Sequence, residues 1–222
     1  MMKFNYKCKE HDGKFTCDDT ASNKDNLESL KKNVSELHAK RSEGHNTLRN
    51  KLSTIFSSSD KFKVVGRMKT PQSIQEKMQR KGISDPSQFD DISGLRIVTK
   101  DANATQEAIK IIKNTFKSAT KPGSEDNYIE NPKETGYHAF HVTIMENNEP
   151  HEVQVRTERF NEWAEKYHSV YKGEEWTKSA NTPETKEYFR DMADVYSKLD
   201  NGEPVNDVPD CPGELVKLHL CL

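Results

Sequence analysis

The sequence predicts a protein of the α+β class, in which a β-sheet and several helices share one core. Three observations support this prediction. Apolar residues recur at helical spacing towards both ends of the chain, strand-like runs of alternating apolar and polar residues lie in its middle, and no internal repeat is present. The 222 residues, of which 32% are hydrophobic and 32% charged, fit one domain with a core of modest size.

The first half of the chain predicts two helices, a strand and a third helix. Residues 1–22 are polar and are expected to be irregular. A helical pattern covers residues 23–56, with a break at the SEGHN sequence. The segment RMKTPQSIQEKMQRKG is typical of a helix that Thr70 caps and Pro71 begins. The sequence GLRIVTK then predicts a strand, and ATQEAIKIIKNTF predicts the amphipathic helix that follows it.

The second half predicts a hairpin and two further helices. A loop rich in turn residues covers 121–136, and two strand-like runs, HAFHVTIM and HEVQVRT, flank the turn sequence ENNEP. Helices are expected at RFNEWAEKYHSVY and at residues 182–200, where Thr182 and Pro183 form a start signal. Residues 201–222 contain three prolines and are expected to be irregular.

Composition excludes several classes of protein. The formal net charge of −2 argues against a surface that binds nucleic acid over its whole area, although a local basic cleft is allowed. No apolar run approaches the roughly 18 residues needed to span a membrane. The N-terminal sequence lacks the apolar centre of a signal peptide. We therefore expect a cytoplasmic protein without membrane partners.

The four cysteines all lie near the termini, at Cys8, Cys17, Cys211 and Cys221. They form no CxxC pair, so a zinc ribbon is not expected. Our preferred interpretation is four free thiols in a cytosolic protein. An even number of cysteines confined to two terminal segments also fits a secreted protein with two terminal disulfides, and this alternative stays open.

The basic segment between Arg67 and Gly82 is the first candidate for chemistry. In a helix that begins at Pro71, Ser73 and Lys77 share one face with Arg80 or Lys81. The free N–H groups and the positive end of the dipole at such a helix start attract anions, above all phosphate. A solvated surface helix would have the same composition, so this segment decides nothing by itself.

Carboxylates at the start of one predicted strand and within another form the second candidate. The sequence FDDISGLRIVT places Asp90 and Asp91 just before a strand that carries Arg96, and the alternation in HEVQVRT puts Glu152 on one face with Gln154. Mg²⁺ usually takes one or two protein carboxylates together with substrate phosphates. Asp90 and Asp91 could also be ordinary surface residues, and so could Glu152 and Gln154.

The order of these motifs resembles the synthetase domain of the RelA/SpoT family, and most of all the small alarmone synthetases. The resemblance covers about residues 61–172 and adds two further sequences, PKETGYHAFH and NEWA. It implies a domain over residues 23–200, whose helical ends are 23–56 and 182–200, between an N-terminal extension (1–22) and a C-terminal tail (201–222). The implied fold is a mixed β-sheet flanked by helices, similar to nucleotidyltransferases.

The resemblance implies a Mg²⁺-dependent pyrophosphokinase that moves the β,γ-pyrophosphate of ATP to the 3′-hydroxyl of GDP or GTP, which makes the (p)ppGpp of the stringent response. Asp91 would bind the metal, and Glu152 would complete the metal site or act as base. The residues implied for ATP are Arg67, Lys69, Ser73, Lys77, Arg80 and Arg96, and those implied for the acceptor are Lys133, Tyr137, His141, Gln154, Arg156 and Asn161.

Two other functions stay open. A toxic relative of the same fold would use adenine nucleotides, giving (p)ppApp, or the 3′ end of tRNA, and would have an antitoxin or immunity protein as partner. A nucleotide-binding module without catalysis is less favoured, because both Asp91 and Glu152 are present. Only about 60 residues precede the motifs, so no hydrolase activity is expected. The terminal helices could also form a homo-oligomer.

Overall fold

The computed structural model describes residues 8–11, 14–17, 21–171 and 175–222, with side chains for residues 28–171 and 177–222. The described helices are α1 (Ala21–Ile55), α2 (Pro71–Lys81), α3 (Ala102–Thr115), α4 (Glu158–Tyr171), α5 (Pro183–Asp200) and α6 (Gly213–Lys217). The strands are β1 (Cys8–His11), β2 (Lys14–Cys17), β3 (Phe62–Met68), β4 (Ser93–Thr99), β5 (Asp126–Asn127), β6 (Phe140–Glu146) and β7 (Glu149–Thr157). None of the helices in these ranges is long and apolar enough to cross a bilayer.

The central sheet has five strands in the order β3-β4-β7-β6-β5. Strands β4 and β7 run parallel, and every other neighbouring pair is antiparallel. The sheet is therefore mixed, and helices pack against it, as the resemblance implies. Strands β1 and β2 form a separate antiparallel pair.

The two faces of the central sheet differ in chemistry because side chains alternate along each strand. One face carries Leu95, Val142 and Val153, which are buried against apolar residues of α1 and α3. The opposite face carries polar residues in register: Arg96 lies beside Gln154, and Gln154 beside His141. The apolar face forms the core, so the polar face is the one available for a site.

Two smaller apolar clusters hold the remaining elements. The first joins α4, α5 and the C-terminal tail around Trp163 and Phe189. The second packs Ile74 and Met78 of α2 against Val34 of α1. These clusters fix α2 and α4 at the margins of the polar face of the sheet.

Several predicted elements are confirmed. Helix α2 begins at Pro71, and the Thr70 hydroxyl accepts a hydrogen bond from the Ser73 backbone N–H. The hairpin of β6 and β7 turns at Asn147 and Asn148, both with positive φ. Asparagine tolerates this conformation better than most residues, which explains its use in the turn.

The predicted break at SEGHN is wrong, since α1 continues through it. A Cβ on Gly44 would lie 2.6 Å from Nε2 of His151. The glycine therefore permits close packing of α1 on β7 and does not end the helix. This need arises from tertiary structure, which a local pattern does not contain.

The termini also differ from the sequence interpretation. The N-terminal extension contains the β1–β2 hairpin, in which the backbones of Cys8 and Cys17 are paired, and the tail contains α6. Cys211 and Cys221 form a disulfide, so the preferred interpretation of four free thiols is wrong for these two. The thiol state of Cys8 and Cys17 lies outside the described side chains.

Candidate active site

Two lysines hold Asp91 at the edge of the polar face. Lys77 Nζ lies 2.5 Å from Oδ1 and 2.6 Å from Oδ2 of Asp91. Lys69 Nζ lies 3.1 Å from Oδ2 and donates a 2.6 Å hydrogen bond to the Asp91 carbonyl oxygen. The structure therefore brings together three residues implied for ATP and metal.

Local structure explains this cluster. The Lys69 backbone N–H donates to the Ile92 carbonyl, which ties the end of β3 to the turn that carries Asp91. Helix α2 starts two residues later, and its inner face directs Lys77 towards the same turn while Ile74 is buried beneath it. A strand end, a capped helix and a short turn thus position three charges.

The Asp91 carboxyl is ionised at neutral pH. Burial raises its pKa, but the hydrogen bonds and charges of Lys77 and Lys69 more than offset this effect, so its pKa lies below the usual range. Two cations face one carboxylate, and the cluster keeps a net positive charge. Such a cluster attracts phosphate oxygens.

Glu152 lies on β7 beside Gly94 of β4 and Thr143 of β6. Its Oε2 accepts a 2.8 Å hydrogen bond from Gln154, and its Oε1 lies 3.4 Å from Nδ1 of His141. Burial raises the pKa of Glu152, while His141 and Gln154 lower it by a larger amount, with the nearby charge of Asp91 acting against them. The net pKa is below the usual value, so Glu152 is also ionised.

Gly94 leaves the space next to Glu152 open. A Cβ at this position would meet only the Arg67 carbonyl oxygen, at 3.6 Å. The carboxylates of Asp91 and Glu152 therefore lie beside a part of the sheet where β4 has no side chain, because the residue there is Gly94. A bound phosphate chain could approach the backbone there.

An aromatic group forms the neighbouring part of the site. The Tyr137 hydroxyl lies 2.8 Å from Nε2 of His141, and its ring contacts Tyr128 and Trp163 edge-on or tilted. Lys133 Nζ lies 4.2 Å from the centre of the Tyr128 ring and 5.5 Å from that of Tyr137. Burial raises the pKa of Tyr137, which keeps its hydroxyl protonated.

Two further predicted residues, Arg96 and Arg156, both contact a third, Asn161. Its Oδ1 accepts hydrogen bonds from Arg96 Nη1 at 2.7 Å and from Arg156 Nη2 at 3.1 Å. Arg96 Nη1 also donates to Glu165 at 3.0 Å. Burial lowers the pKa of Arg156 to about 10, so this guanidinium is still charged at neutral pH.

The predicted residues thus fall into distinct groups. Lys69 and Lys77 join Asp91, whereas Arg96, implied for ATP, contacts the residues implied for the acceptor. Ser73 is engaged by the Thr70 cap. Arg67 on β3 and Arg80 at the end of α2 are exposed.

The sequence interpretation missed three residues that contribute to the site. Tyr128 adds an aromatic ring, Glu165 binds both Arg96 and Asn161, and Lys121 forms a 2.5 Å ion pair with Asp90. Glu165 follows Asn161 by four residues on α4, and this spacing places both on one helix face. That signal could have identified Glu165; Tyr128 and Lys121 lie in a loop without regular spacing.

The donor set suits Mg²⁺ better than a closed metal site. Among the described residues, no group of three or more His, Cys, Asp or Glu side chains could hold a metal ion. Asp91 and Glu152 are two ionised oxygen donors on one face of the sheet. Mg²⁺ typically uses one or two carboxylates and takes its other ligands from phosphate and water.

Comparison with known families gives one clear match. The family model for the region found in RelA / SpoT proteins matches residues 66–176, half of the chain. This range starts in β3 and contains Lys69, Asp91, Tyr137 and Glu152.

Curated relatives match part of their own length. The GTP pyrophosphokinase rsh of Brucella abortus (strain 2308) is 34% identical over 164 residues, which are 68% of this chain and 21% of that protein. A GTP pyrophosphokinase of Haemophilus influenzae is 32% identical over 107 residues, 48% of this chain and 14% of that protein. The chain therefore spans at most about a fifth of these relatives.

Solved structures match over most of their length. Small alarmone synthetase 1 of Bacillus subtilis has a TM-score of 0.63 at 27% identity, with 76% of this chain and 92% of that chain covered. The same protein bound to AMPCPP has a TM-score of 0.55 at 25% identity, over 76% and 92% of the two chains. A GTP pyrophosphokinase family protein of Streptococcus pneumoniae has a TM-score of 0.53 at 26% identity, over 83% and 92%.

Proposed function

The chain belongs to the RelA/SpoT family, and we propose that it transfers the β,γ-pyrophosphate of ATP to the 3′-hydroxyl of GDP or GTP. The curated relatives are named GTP pyrophosphokinases, and the similar structures include small alarmone synthetase 1 of Bacillus subtilis. The AMPCPP complex of one of them supports an adenine nucleotide as donor. The product would be (p)ppGpp.

One observation carries the proposal: Lys69 and Lys77 converge on Asp91 on the same face of the sheet as Glu152. Transfer of a phosphoryl-type group requires positioning and charge neutralisation far more than a covalent intermediate. Two lysines can exchange a carboxylate for phosphate oxygens without moving far. Ser73 at the start of α2, with the exposed Arg67 and Arg80, would complete the ATP side.

The two carboxylates would hold Mg²⁺. When bound, the metal supplies positive charge that offsets the negative charge of the phosphate oxygens. The low pKa of Glu152 makes it a weak proton acceptor, since a general base works best with a pKa near the working pH. We therefore assign Glu152 chiefly to metal binding.

The acceptor would bind over β6, β7 and α4. Tyr137 and Lys133 supply an aromatic ring and a cation for the base and phosphates, and Asn161 offers an amide for hydrogen bonds. His141 and Gln154 orient Glu152 between the two substrates. Arg96 and Arg156 would act on this side through Asn161, which moves Arg96 from the ATP group to the acceptor group.

An acceptor screen tests the proposal. The purified chain is incubated with Mg²⁺, γ-labelled ATP and one acceptor at a time: GDP, GTP, GMP, ADP, AMP or deacylated tRNA. Anion-exchange separation should show label on GDP and GTP, and Asp91→Asn should lower the rate of its transfer by roughly 10²–10³-fold. Label on adenine nucleotides or tRNA would overturn the guanine assignment, and label on no acceptor would overturn the activity.

A further inference from the structure

Five polar residues lie inside the core, beneath the end of the sheet that carries the two carboxylates of the candidate site. Each of them is 6% exposed or less, and we call them the buried polar cluster: Arg41 and His45 of α1, Ser93 of β4, and Glu149 and His151 of β7. Because side chains alternate along a strand, His151 lies on the face opposite Glu152. The cluster is therefore behind the site, on the core side of the sheet.

The Ser93 hydroxyl connects both histidines of the cluster. Its Oγ lies 2.9 Å from Nδ1 of His45 and 2.7 Å from Nδ1 of His151. A serine hydroxyl has one O–H donor and two acceptor lone pairs, so it can form a hydrogen bond with each ring. One side chain at the start of β4 is thereby bonded to α1 on one side and to β7 on the other.

Two glycines bring the backbone against these rings. A Cβ on Gly66 of β3 would lie 2.6 Å from Nε2 of His45, and one on Gly44 of α1 would lie 2.6 Å from Nε2 of His151. Neither position admits a side chain unless a ring moves. The backbone of β3 and α1 therefore encloses both histidines, and close packing leaves this hydrogen-bonded network little room for another arrangement.

Arg41 binds the chain on the other side of Asp91. Its guanidinium donates to the carbonyl oxygen of Phe89, two residues before Asp91, and its Nε donates to Glu149 of β7 at 3.1 Å. Arg41 and His45 are four residues apart in α1 and so lie on one face of this helix. One turn of α1 therefore holds both ends of the turn that carries Asp91 against β7, the strand that carries the second carboxylate.

We propose that Ser93 is a positioning residue for the reaction, because it fixes Asp91 relative to Glu152. The two histidines hold its hydroxyl in place from α1 and β7, and Ser93 holds the turn that precedes β4. Apolar side chains could fill the same volume, but a hydrogen-bonded network of buried polar groups specifies one arrangement. At an active site, displacement of a group by about 1 Å can lower the rate by roughly 10²-fold. The catalytic consequence rests on the proposed function, whereas the placement of the Asp91 carboxylate does not.

Substitutions at the two ends of β4 separate positioning from stability. Ser93→Ala should lower kcat by roughly 10- to 100-fold with both nucleotide KM values nearly unchanged, because the side chains that bind the nucleotides stay in place. Thr99→Val is the matched control, since it removes another fully buried hydroxyl, which lies 2.5 Å from Oγ1 of Thr105 at the opposite end of the strand. Both variants should lower the midpoint of urea denaturation, but Thr99→Val should keep its kcat. An unchanged kcat in Ser93→Ala, or an equal loss in Thr99→Val, would overturn the proposal.

The carboxyl carbon of Asp91 reports its placement without any reaction. Its ¹³C resonance in the full chain is identified by its loss in Asp91→Asn and is followed at neutral pH. His45→Leu removes the hydrogen bond to Ser93 from a position 46 residues before Asp91 in the chain, and it should shift this resonance and lower kcat. His45→Asn, whose side-chain amide takes the place of Nδ1, should restore both.

The two measurements also separate this inference from the proposed function. If the unaltered chain transfers no pyrophosphate, the proposed function fails and the Asp91 resonance alone decides on the positioning role. If His45→Leu does not fold, the resonance is compared between Ser93→Ala and Thr99→Val, and only Ser93→Ala should shift it. A resonance that stays in place when the bond to Ser93 is removed, or that moves equally in His45→Leu and His45→Asn, would overturn the proposal.

Discussion

Lys77 Nζ lies within 2.6 Å of both carboxylate oxygens of Asp91, so a single ammonium group bridges this carboxylate. Lys69 approaches the same carboxylate from the end of β3. Any phosphate that binds these lysines competes with Asp91 for them. If Mg²⁺ binds as proposed, this exchange would free the Asp91 oxygens to hold it.

Asp91→Asn should reduce pyrophosphate transfer by roughly 10²–10³-fold, a loss typical of one removed electrostatic group in an active site. The neutral amide would neither hold a divalent metal well nor restrain Lys77. Initial rates at saturating ATP measure the effect, and circular dichroism checks the fold. Asp207→Asn is the matched control, since Asp207 is exposed in the C-terminal tail. Comparable rates in Asp91→Asn and the unaltered chain would contradict the metal assignment.

Tyr137 should serve the acceptor and not ATP. Stacking of a base on an aromatic ring contributes roughly 1–3 kcal/mol, so Tyr137→Ala should raise the acceptor KM about 5- to 150-fold and leave the ATP KM nearly unchanged. Tyr137→Phe keeps the ring and removes the hydrogen bond to His141. It should therefore resemble the unaltered chain in acceptor KM. Equal increases in both KM values for Tyr137→Ala would exclude a stacking role.

Arg96 gives a test between the sequence interpretation and the structure. Arg96→Lys keeps the positive charge but cannot reach Asn161 and Glu165 with the same planar fork. We expect a rise of roughly tenfold in acceptor KM, about 1.4 kcal/mol, with ATP affinity unaffected. Isothermal titration with each nucleotide measures both. A selective loss of ATP binding would contradict this assignment and support the sequence interpretation, in which Arg96 binds ATP.

The sequence predicted features whose causes are local and missed features that depend on distant contacts. Thr70 and Pro71 specify the start of α2 by themselves, and the alternation around Glu152 specifies β7. The placement of Arg96 depends on α4 lying across the sheet, where Asn161 meets it. No spacing in the chain encodes that contact. The role of Gly44 likewise depends on a histidine 107 positions later.

Glu149 should contribute to stability in a pH-dependent way. It binds the fully buried Arg41, which is 1% exposed. Burial raises the pKa of Glu149, but Lys40 and Arg41 lower it by a larger amount, so the pKa in the folded chain is below the unfolded value. The stabilisation is therefore present above the unfolded pKa near 4.5 and is lost as the pH falls through the folded value.

Glu149→Gln should lower the free energy of unfolding at pH 7 by roughly 3–5 kcal/mol, because a buried guanidinium loses its charge partner. The difference from the unaltered chain should shrink as the pH falls below 4.5. Urea denaturation at several pH values measures this. Glu107→Gln removes an exposed pair with Lys61 and should cost no more than about 1 kcal/mol. A pH-independent difference would show that the ion pair is not its source.

The Cys211–Cys221 disulfide should stabilise the C-terminal tail against α4 and α5. The bond closes a loop with a separation of 10 residues, for which chain entropy gives roughly 3 kcal/mol. Leu215 lies inside this loop and is fully buried in the cluster around Trp163. The double variant Cys211→Ser/Cys221→Ser should lose about this amount in urea denaturation without reductant.

Reductant should lower the stability of the unaltered chain towards that of the double variant. Any effect of reductant that persists in the double variant belongs to Cys8 and Cys17. Alkylation without reductant, followed by intact mass, reports the thiols independently. Labelling of both Cys211 and Cys221 in the folded, unreduced chain would contradict the bond and favour free thiols, as in a reducing compartment. Protection of both cysteines would support the disulfide. It would also favour the hypothesis of a secreted protein, because such bonds persist chiefly in oxidising compartments.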